Sequence, residues 1–223
     1  YADAIIRDLR WLGLDWDEGP DVGGPAGPYT QSARMGLYAD ALNRLDRAGH
    51  IYPCYCTRKE LRTLAGAPHV GDAGAAYPGT CRNLPPERRA ELEAAGRRPC
   101  IRLHCPSQSY VFEDAVFGPF RMTLEACGGD FALRRSDGVI AYQLAVVVDD
   151  GLMGITQVVR GEDLLVSTPR QLALFDLLGY PRPAYMHLPL LCDPEGERLA
   201  KRHASLTLAS LRDAGVSPAA VAG

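Results

Sequence analysis

Apolar residues recur along the chain at two spacings, which divide it into helical and strand-like stretches. From Ile5 to Leu12 they recur every three or four positions, which predicts a helix over residues 1–14. Further helices are predicted over residues 31–48, 85–96, 167–179 and 207–214. Short apolar runs predict strands near residues 100–104, 110–117, 130–135, 155–160 and 186–191. The run from Val139 to Val148 fits either type of element.

Alternating helices and short apolar strands are typical of an α/β fold. Residues 50–125 differ from the rest of the chain in their sequence pattern, which predicts an inserted subdomain. The expected divisions are a first α/β part at 1–49, the insert at 50–125, a second α/β part at 126–206 and the start of a C-terminal helical segment at 207–223. The chain opens on a helix, whereas a doubly wound fold opens on a strand and a phosphate-binding turn. The first βα unit is therefore expected to be missing.

Composition narrows the class of protein. The 223 residues are 47% hydrophobic and 23% charged, which is ordinary for a globular chain. No apolar run reaches membrane-spanning length, and the N-terminus lacks the features of a signal peptide, so we expect a cytoplasmic protein. The net charge of −3 gives no general attraction to nucleic acid, so any RNA contact must use local basic patches.

Three of the seven cysteines, Cys54, Cys56 and Cys81, lie in one loop-rich segment. Without secretion signals, such a cluster suggests a metal before a disulfide. Tetrahedral structural zinc needs a fourth ligand, for which His69 is the conventional choice and Asp72 a poorer one. The alternative is three reduced cysteines in a core.

Arg160 follows the predicted strand at residues 155–160 and precedes a glycine. Ligands of open α/β sheets bind beyond the carboxyl ends of the strands, and an arginine there can hold a carboxylate through two parallel hydrogen bonds. The alternative is an ordinary pair with Glu162 or Asp163. His50, His104 and His187 are interpreted as packed histidines in apolar settings, and Asp149 with Asp150 as either a magnesium site or structural carboxylates.

A basic run follows the last predicted strand: Arg198, Leu199, Ala200, Lys201 and Arg202. Such a run is usually a solvated surface. Mobile cations near a triphosphate can also offset the charge that develops on a pyrophosphate leaving group.

Four blocks of sequence together resemble one family. They are Ala141–Asp150, Ile155–Leu165, Ser167–Gln171 and His187–Leu190. These blocks look like the glutamyl-tRNA synthetases, class I enzymes with a Rossmann-like doubly wound catalytic domain. The glutamyl-Q branch of that family has similar sequences in two of these blocks, which read here Tyr142-Gln143-Leu144-Ala145 and Gly161-Glu162-Asp163-Leu164.

The resemblance implies roles for individual residues. Tyr142 and Arg160 would bind glutamate. The basic run resembles the KMSKS loop, so Lys201 would be catalytic and contact ATP, although Arg198 replaces a lysine and Ala200 a serine. In the glutamyl-Q branch a tyrosine is the fourth ligand of a structural zinc, which corresponds to Tyr77. The loop before Tyr77 looks longer than in the family, so His69 stays a rival.

The resemblance also implies an activity. Glutamate would be activated with ATP and Mg²⁺ to glutamyl-adenylate and transferred to queuosine in tRNA(Asp), by an enzyme without an anticodon-binding domain and expected to be a monomer. The HIGH-like motif and the N-terminal arginine-serine turn of the family are absent from this sequence. A truncated glutamyl-tRNA synthetase charging tRNA(Glu), or a non-catalytic remnant that binds glutamate or RNA, are the alternatives.

Overall fold

The computed structural model describes residues 1–57, 59–61, 77–192 and 207–222. The chain forms two compact units: one comprises Thr30–Pro189 and the other Tyr1–Tyr29 with Leu190–Gly223. The subdomain boundaries expected at residues 49, 125 and 206 stay predictions. No helix among the described residues is long and apolar enough to cross a membrane.

The described part of the smaller unit includes the helices α1 (Ala2–Trp11), α6 (Leu208–Asp213) and α7 (Pro218–Ala222). An ion pair between Arg212 and Asp8 joins α6 to α1. Asp21 accepts hydrogen bonds from Arg10 at 2.7 Å and from the Trp16 indole at 3.0 Å, which fastens the glycine- and proline-rich loop to α1. The helices predicted at the two ends of the chain are confirmed.

The described residues of the larger unit form two sheets. The first is antiparallel, with strand order β1 (Ile51–Cys54), β2 (Cys100–Leu103) and β5 (Ala132–Arg134). The second has the order β4–β3–β7–β6, with bounds β3 (Ser109–Asp114), β4 (Gly118–Thr123), β6 (Gln157–Gly161) and β7 (Ala184–Leu188). In it, β3 pairs antiparallel with β4, whereas β3, β7 and β6 are parallel. The parallel part agrees with the predicted α/β class.

The larger unit also includes the α-helices α2 (Met35–Arg47), α3 (Pro86–Ala94), α4 (Tyr142–Met153) and α5 (Thr168–Leu178). The run that the sequence left unassigned is α4. Its buried residues Leu144, Ala145, Val147 and Val148 follow the 3.6-residue period of one helix face. Gly154 ends the helix in the left-handed region, with φ of 67°. Side chains of α2, α4 and α5 form much of the main core.

The predicted strand over residues 110–117 is wrong in its extent. The strand ends at Asp114, and a second strand, β4, starts at Gly118. The Asp114 carboxylate accepts the backbone N–H groups of Val116 at 3.1 Å and Phe117 at 3.0 Å, which turns the chain. Gly118 has a φ of 76°, which a residue with a Cβ rarely adopts. A hairpin therefore replaces the single strand.

Asp130 is a buried carboxylate whose hydrogen bonds connect the antiparallel sheet to neighbouring segments. It accepts two hydrogen bonds from Arg82, at 2.9 and 2.7 Å, and one from the Tyr52 hydroxyl at 2.5 Å. The backbone N–H of Cys105 donates a fourth bond at 2.9 Å. These bonds hold the pKa of Asp130 below its usual value although burial acts to raise it.

Candidate functional site

Arg160 lies near the carboxyl end of β6, beside the parallel strand β7. Its Nε donates to His187 Nε2 at 3.0 Å, and its Nη2 donates to Thr168 Oγ1 at 2.9 Å. A longer contact of 3.5 Å joins Nη2 to the Leu164 carbonyl. Among the residues that the structure describes, Nη1 has no hydrogen-bond partner. This nitrogen is therefore free to bind an anion at the edge where α/β sheets bind ligands.

Tyr142 is the first residue of α4 and is 49% exposed. Burial raises the pKa of Tyr185 on β7, an effect that Arg160 opposes and Tyr142 increases. The Arg160 guanidinium stands 5.2 Å from the Tyr185 ring centre. Tyr142 and Arg160, which the resemblance assigned to one substrate, thus both act electrostatically on the same tyrosine. Their binding role stays a prediction.

His187 was interpreted as a packed histidine, and its complete burial agrees with this, but its setting is polar rather than apolar. The residue is fully buried, but its Nδ1 lies 2.6 Å from Asp114 Oδ2 and its backbone N–H donates to the same carboxylate. Burial acts to raise the pKa of Asp114, yet the hydrogen bonds from His187, Phe117 and Val116 lower it to about 2. Asp114 is therefore ionised at neutral pH. No local pattern pointed to Asp114, which is 73 residues from His187 in the chain.

Polar contacts also hold the helices around this edge. The Gln143 amide donates to Ser167 Oγ at 3.1 Å and accepts from Gln171 at 2.9 Å, so it joins α4 to the start of α5. Asp149 accepts from Arg34 at 2.6 Å and from the Tyr38 hydroxyl at 2.9 Å, which joins α4 to α2. Its oxygens are engaged by these donors, which favours the structural interpretation over magnesium.

Asp150, the next residue of α4, should make the protein less stable at neutral pH. Burial raises the pKa of this carboxyl to about 6, with Arg160 opposing the rise and Asp149 adding to it. The unfolded chain ionises the same carboxyl near pH 3.9, at about its reference pKa. Stability is therefore lost as the pH rises from that value through the folded-state pKa, and the whole cost is present above it. We expect Asp150→Asn to raise the free energy of unfolding at pH 7.5 by about 1 kcal/mol.

Urea unfolding of the two proteins at pH 4 and pH 7.5 measures this effect. The advantage of Asp150→Asn should shrink towards pH 4, where both side chains are neutral in the folded state. A variant that is less stable than the parent at pH 7.5 would show that the carboxylate is favourably paired. Asp137→Asn is the exposed control, since Asp137 pairs with Arg135 at the surface.

The predicted cysteine cluster assembles at the end of β1. The sulfur atoms of Cys54, Cys56 and Cys81 all lie within 4.8 Å of one another, and those of Cys56 and Cys81 are 3.6 Å apart. The Tyr77 hydroxyl lies 3.3 Å from the Cys54 sulfur and 4.0 Å from that of Cys56. Ligand atoms of a tetrahedral zinc–thiolate site are separated by about 3.5–3.8 Å. The four residues fit zinc in spacing and in chemistry.

The surroundings of the cluster act on its charge in both directions, and burial raises the pKa of Cys56 and of Tyr77. The backbone N–H of Cys81 donates to Tyr77 Oη at 2.8 Å, which stabilises negative charge on that oxygen. Arg102 stacks over the Tyr77 ring, 4.0 Å from its centre. A hydrogen bond from Cys100, opposite in the sheet, lowers the pKa of Cys54 below its ordinary value. A cavity of about 650 Å³, lined in part by Cys56 and Cys81, gives a metal ion access.

Two groups of predicted residues lie outside the part of the chain that the structure describes. They are the basic run Arg198, Leu199, Ala200, Lys201 and Arg202, and the rival zinc ligands His69 and Asp72. Their roles stay predictions.

Comparison with known proteins gives a consistent result. Residues 1–222 match the family model described as tRNA synthetases class I (E and Q), catalytic domain. A glutamyl-Q tRNA(Asp) synthetase of Nitratidesulfovibrio vulgaris is 65% identical over 223 residues, which are 100% of this chain and 69% of that protein. The protein of the same name from Symbiobacterium thermophilum is 59% identical with the same coverage.

A solved structure has the same fold. The glutamate-tRNA synthetase of Elizabethkingia anophelis superposes with a TM-score of 0.76 at 28% sequence identity. The match covers 90% of this chain and 42% of the synthetase. The predicted class I catalytic fold, with its parallel sheet, is thereby confirmed.

Proposed function

Because the chain belongs to the catalytic-domain family of the class I (E and Q) tRNA synthetases and is a ligase of that class, we propose that it activates glutamate with ATP. We further propose that the glutamyl group passes to the queuosine base of tRNA(Asp). The observation that carries the first step is Arg160, whose Nη1 has no hydrogen-bond partner among the described residues and lies at the carboxyl edge of a parallel sheet. The second step rests on the two relatives that are 65% and 59% identical to the chain.

Arg160 and Tyr142 bind glutamate in this proposal. An arginine suits an anionic amino acid, since its N–H groups match the geometry of a carboxylate. Tyr142 is half exposed, and its hydroxyl can donate a further hydrogen bond to the substrate. The α-carboxylate of glutamate then attacks the α-phosphorus of ATP, the bond to the leaving pyrophosphate breaks, and glutamyl-adenylate forms.

This chemistry requires positioning and charge stabilisation rather than a protein nucleophile. Magnesium bound with ATP would supply positive charge at the phosphates. Lys201, in the KMSKS-like loop, would offset the charge that develops on pyrophosphate. A hydroxyl of the acceptor finally takes the glutamyl group from the adenylate and releases AMP.

We assign a structural role to zinc at Cys54, Cys56, Tyr77 and Cys81. Four protein ligands leave no open position for a water or a substrate. Three thiolates and a phenolate would give the site a net charge of about −2. The buried Arg102 offsets part of this charge from the Tyr77 side.

Activation is tested by exchange of labelled pyrophosphate into ATP by the full-length protein. We expect glutamate to support exchange and aspartate, which is one methylene shorter, to support it at least about tenfold less, the usual effect of one methylene on specificity. Arg135→Ala, which removes an exposed arginine on a turn, should leave exchange unchanged. Absence of exchange with glutamate would favour the non-catalytic alternative.

The second candidate is a glutamyl-tRNA synthetase that charges tRNA(Glu). It is favoured by the structural likeness to the Elizabethkingia anophelis glutamate-tRNA synthetase. Both candidates share glutamate activation, so only the acceptor RNA distinguishes them.

A further inference from the structure

Three side chains form a hydrogen-bonded chain across three neighbouring parallel strands. Asp114 ends β3, His187 lies on β7, and Arg160 lies on β6 directly opposite His187 in the strand register. The link from Asp114 to His187 Nδ1 is 2.6 Å, and the link from His187 Nε2 to Arg160 Nε is 3.0 Å. Asp114 and His187 are completely buried, so neither can contact a substrate directly.

The donors and acceptors along this chain allow one protonation state of His187. The Asp114 carboxylate only accepts, and all its neighbours in this network are N–H donors. His187 Nδ1 must therefore carry a proton. Arg160 Nε always donates, so His187 Nε2 must be the unprotonated acceptor. An imidazolium would place two donors against each other at the Arg160 contact.

These contacts fix the orientation of the guanidinium. Nε and Nη2 form the side-on edge of an arginine, and His187 and Thr168 occupy that edge. Two anchors at different nitrogens prevent rotation about the end of the side chain. Nη1 is left pointing away from the anchors, where it can bind a substrate carboxylate. An arginine already held in its binding orientation loses less conformational freedom when the ligand arrives.

We propose that His187, oriented by Asp114, is a positioning residue that sets the guanidinium of Arg160 for the substrate carboxylate. This inference rests on the proposed role of Arg160 in binding glutamate. Asp114 is a poor residue for the test, since it also holds the turn at Val116 and Phe117. His187 can be replaced by either of two amide side chains, each of which retains one of its two hydrogen bonds.

His187→Gln and His187→Asn form the matched pair. The glutamine oxygen can reach the position of Nε2 and accept from Arg160, whereas the shorter asparagine can replace only the Nδ1–H that binds Asp114. We expect His187→Asn to raise the KM for glutamate in pyrophosphate exchange about tenfold, since one hydrogen bond to a charged group is lost. The KM of His187→Gln should stay within about threefold of the parent value, because the contact is kept. Both should change kcat less than KM.

The interpretation of His104 as a packed histidine is wrong, since it is an exposed residue of the same unit, and His104→Gln therefore serves as the control. An unchanged KM in His187→Asn would overturn the proposal, and so would equal KM increases in both variants with equal losses of melting temperature. The ¹⁵N NMR spectrum of the parent gives a readout that does not depend on glutamate. We expect Nδ1 protonated and Nε2 unprotonated, with the Arg160 Nε signal shifted in His187→Asn.

An Nε2-protonated ring would contradict the positioning role even if glutamate binds. If the parent shows the Nδ1-protonated tautomer but no glutamate-dependent exchange, the proposed function fails and the contact between His187 and Arg160 stands. The inference that this contact serves a substrate carboxylate would then fail together with the proposed function.

Discussion

Arg160→Ala should weaken glutamate binding by about 2–5 kcal/mol, the range for truncating one partner of a buried charge pair. The substitution removes the guanidinium that would meet the substrate carboxylate. It also leaves His187 Nε2 and Thr168 Oγ1 without their donor. Isothermal titration calorimetry of the full-length variant with glutamate measures the loss.

Two variants make this measurement specific. Arg160→Lys keeps the charge but cannot donate to His187, Thr168 and a carboxylate together, so its affinity should lie between those of the parent and Arg160→Ala. Arg135→Ala should bind glutamate like the parent, because Arg135 forms a half-exposed surface pair with Asp137. An Arg160→Ala protein that is folded and binds glutamate with unchanged affinity would contradict the assignment.

Cys54→Ser should lose the bound zinc and with it at least about 3 kcal/mol of the free energy of unfolding, since the binding energy of a structural zinc contributes to folding. Protein purified without chelator should contain one zinc per chain by elemental analysis. Cys127→Ser is the matched control: its thiol is as buried as that of Cys54 but lies outside the cluster. Protein without zinc, or equal zinc in Cys54→Ser and its parent, would contradict the site.

A second pair of variants identifies the fourth zinc ligand. Tyr77→Phe should speed the release of zinc to a chelator, because the Tyr77 oxygen lies within 3.3 Å of the Cys54 sulfur. His69→Ala should release zinc at the parent rate. The reverse result would assign the fourth position to His69.

The sequence predicted the elements whose pattern is local. The helical spacing in residues 1–14 and the strand that ends at Arg160 required only neighbouring residues. Cys54, Cys56 and Cys81 were grouped because thiols are rare and these three are close in the chain. Tyr77 came only from the family resemblance, and the structure brings its oxygen to the three sulfur atoms.

The residues that support the site were not predictable in this way. The pairing of Asp114 with His187 joins positions 73 apart and depends on the parallel register of β3 and β7. The strand Gly118–Thr123 was missed because Gly118 and Pro119 are typical of a turn. Thr168 was interpreted as part of a helix start, and its contact with Arg160 arises only when α5 packs beside β6.

The central proposal is tested most directly by measuring which RNA accepts the glutamyl group. The full-length protein is incubated with ATP and labelled glutamate, together with either queuosine-containing tRNA(Asp) or tRNA(Glu). Single-stranded loops can extend a base into a protein pocket, so an anticodon loop with an exposed diol is a feasible acceptor. We predict label on queuosine-containing tRNA(Asp) and none on tRNA(Glu). Label at the 3′ end of tRNA(Glu), with none on tRNA(Asp), would contradict the proposal and select the glutamyl-tRNA synthetase alternative.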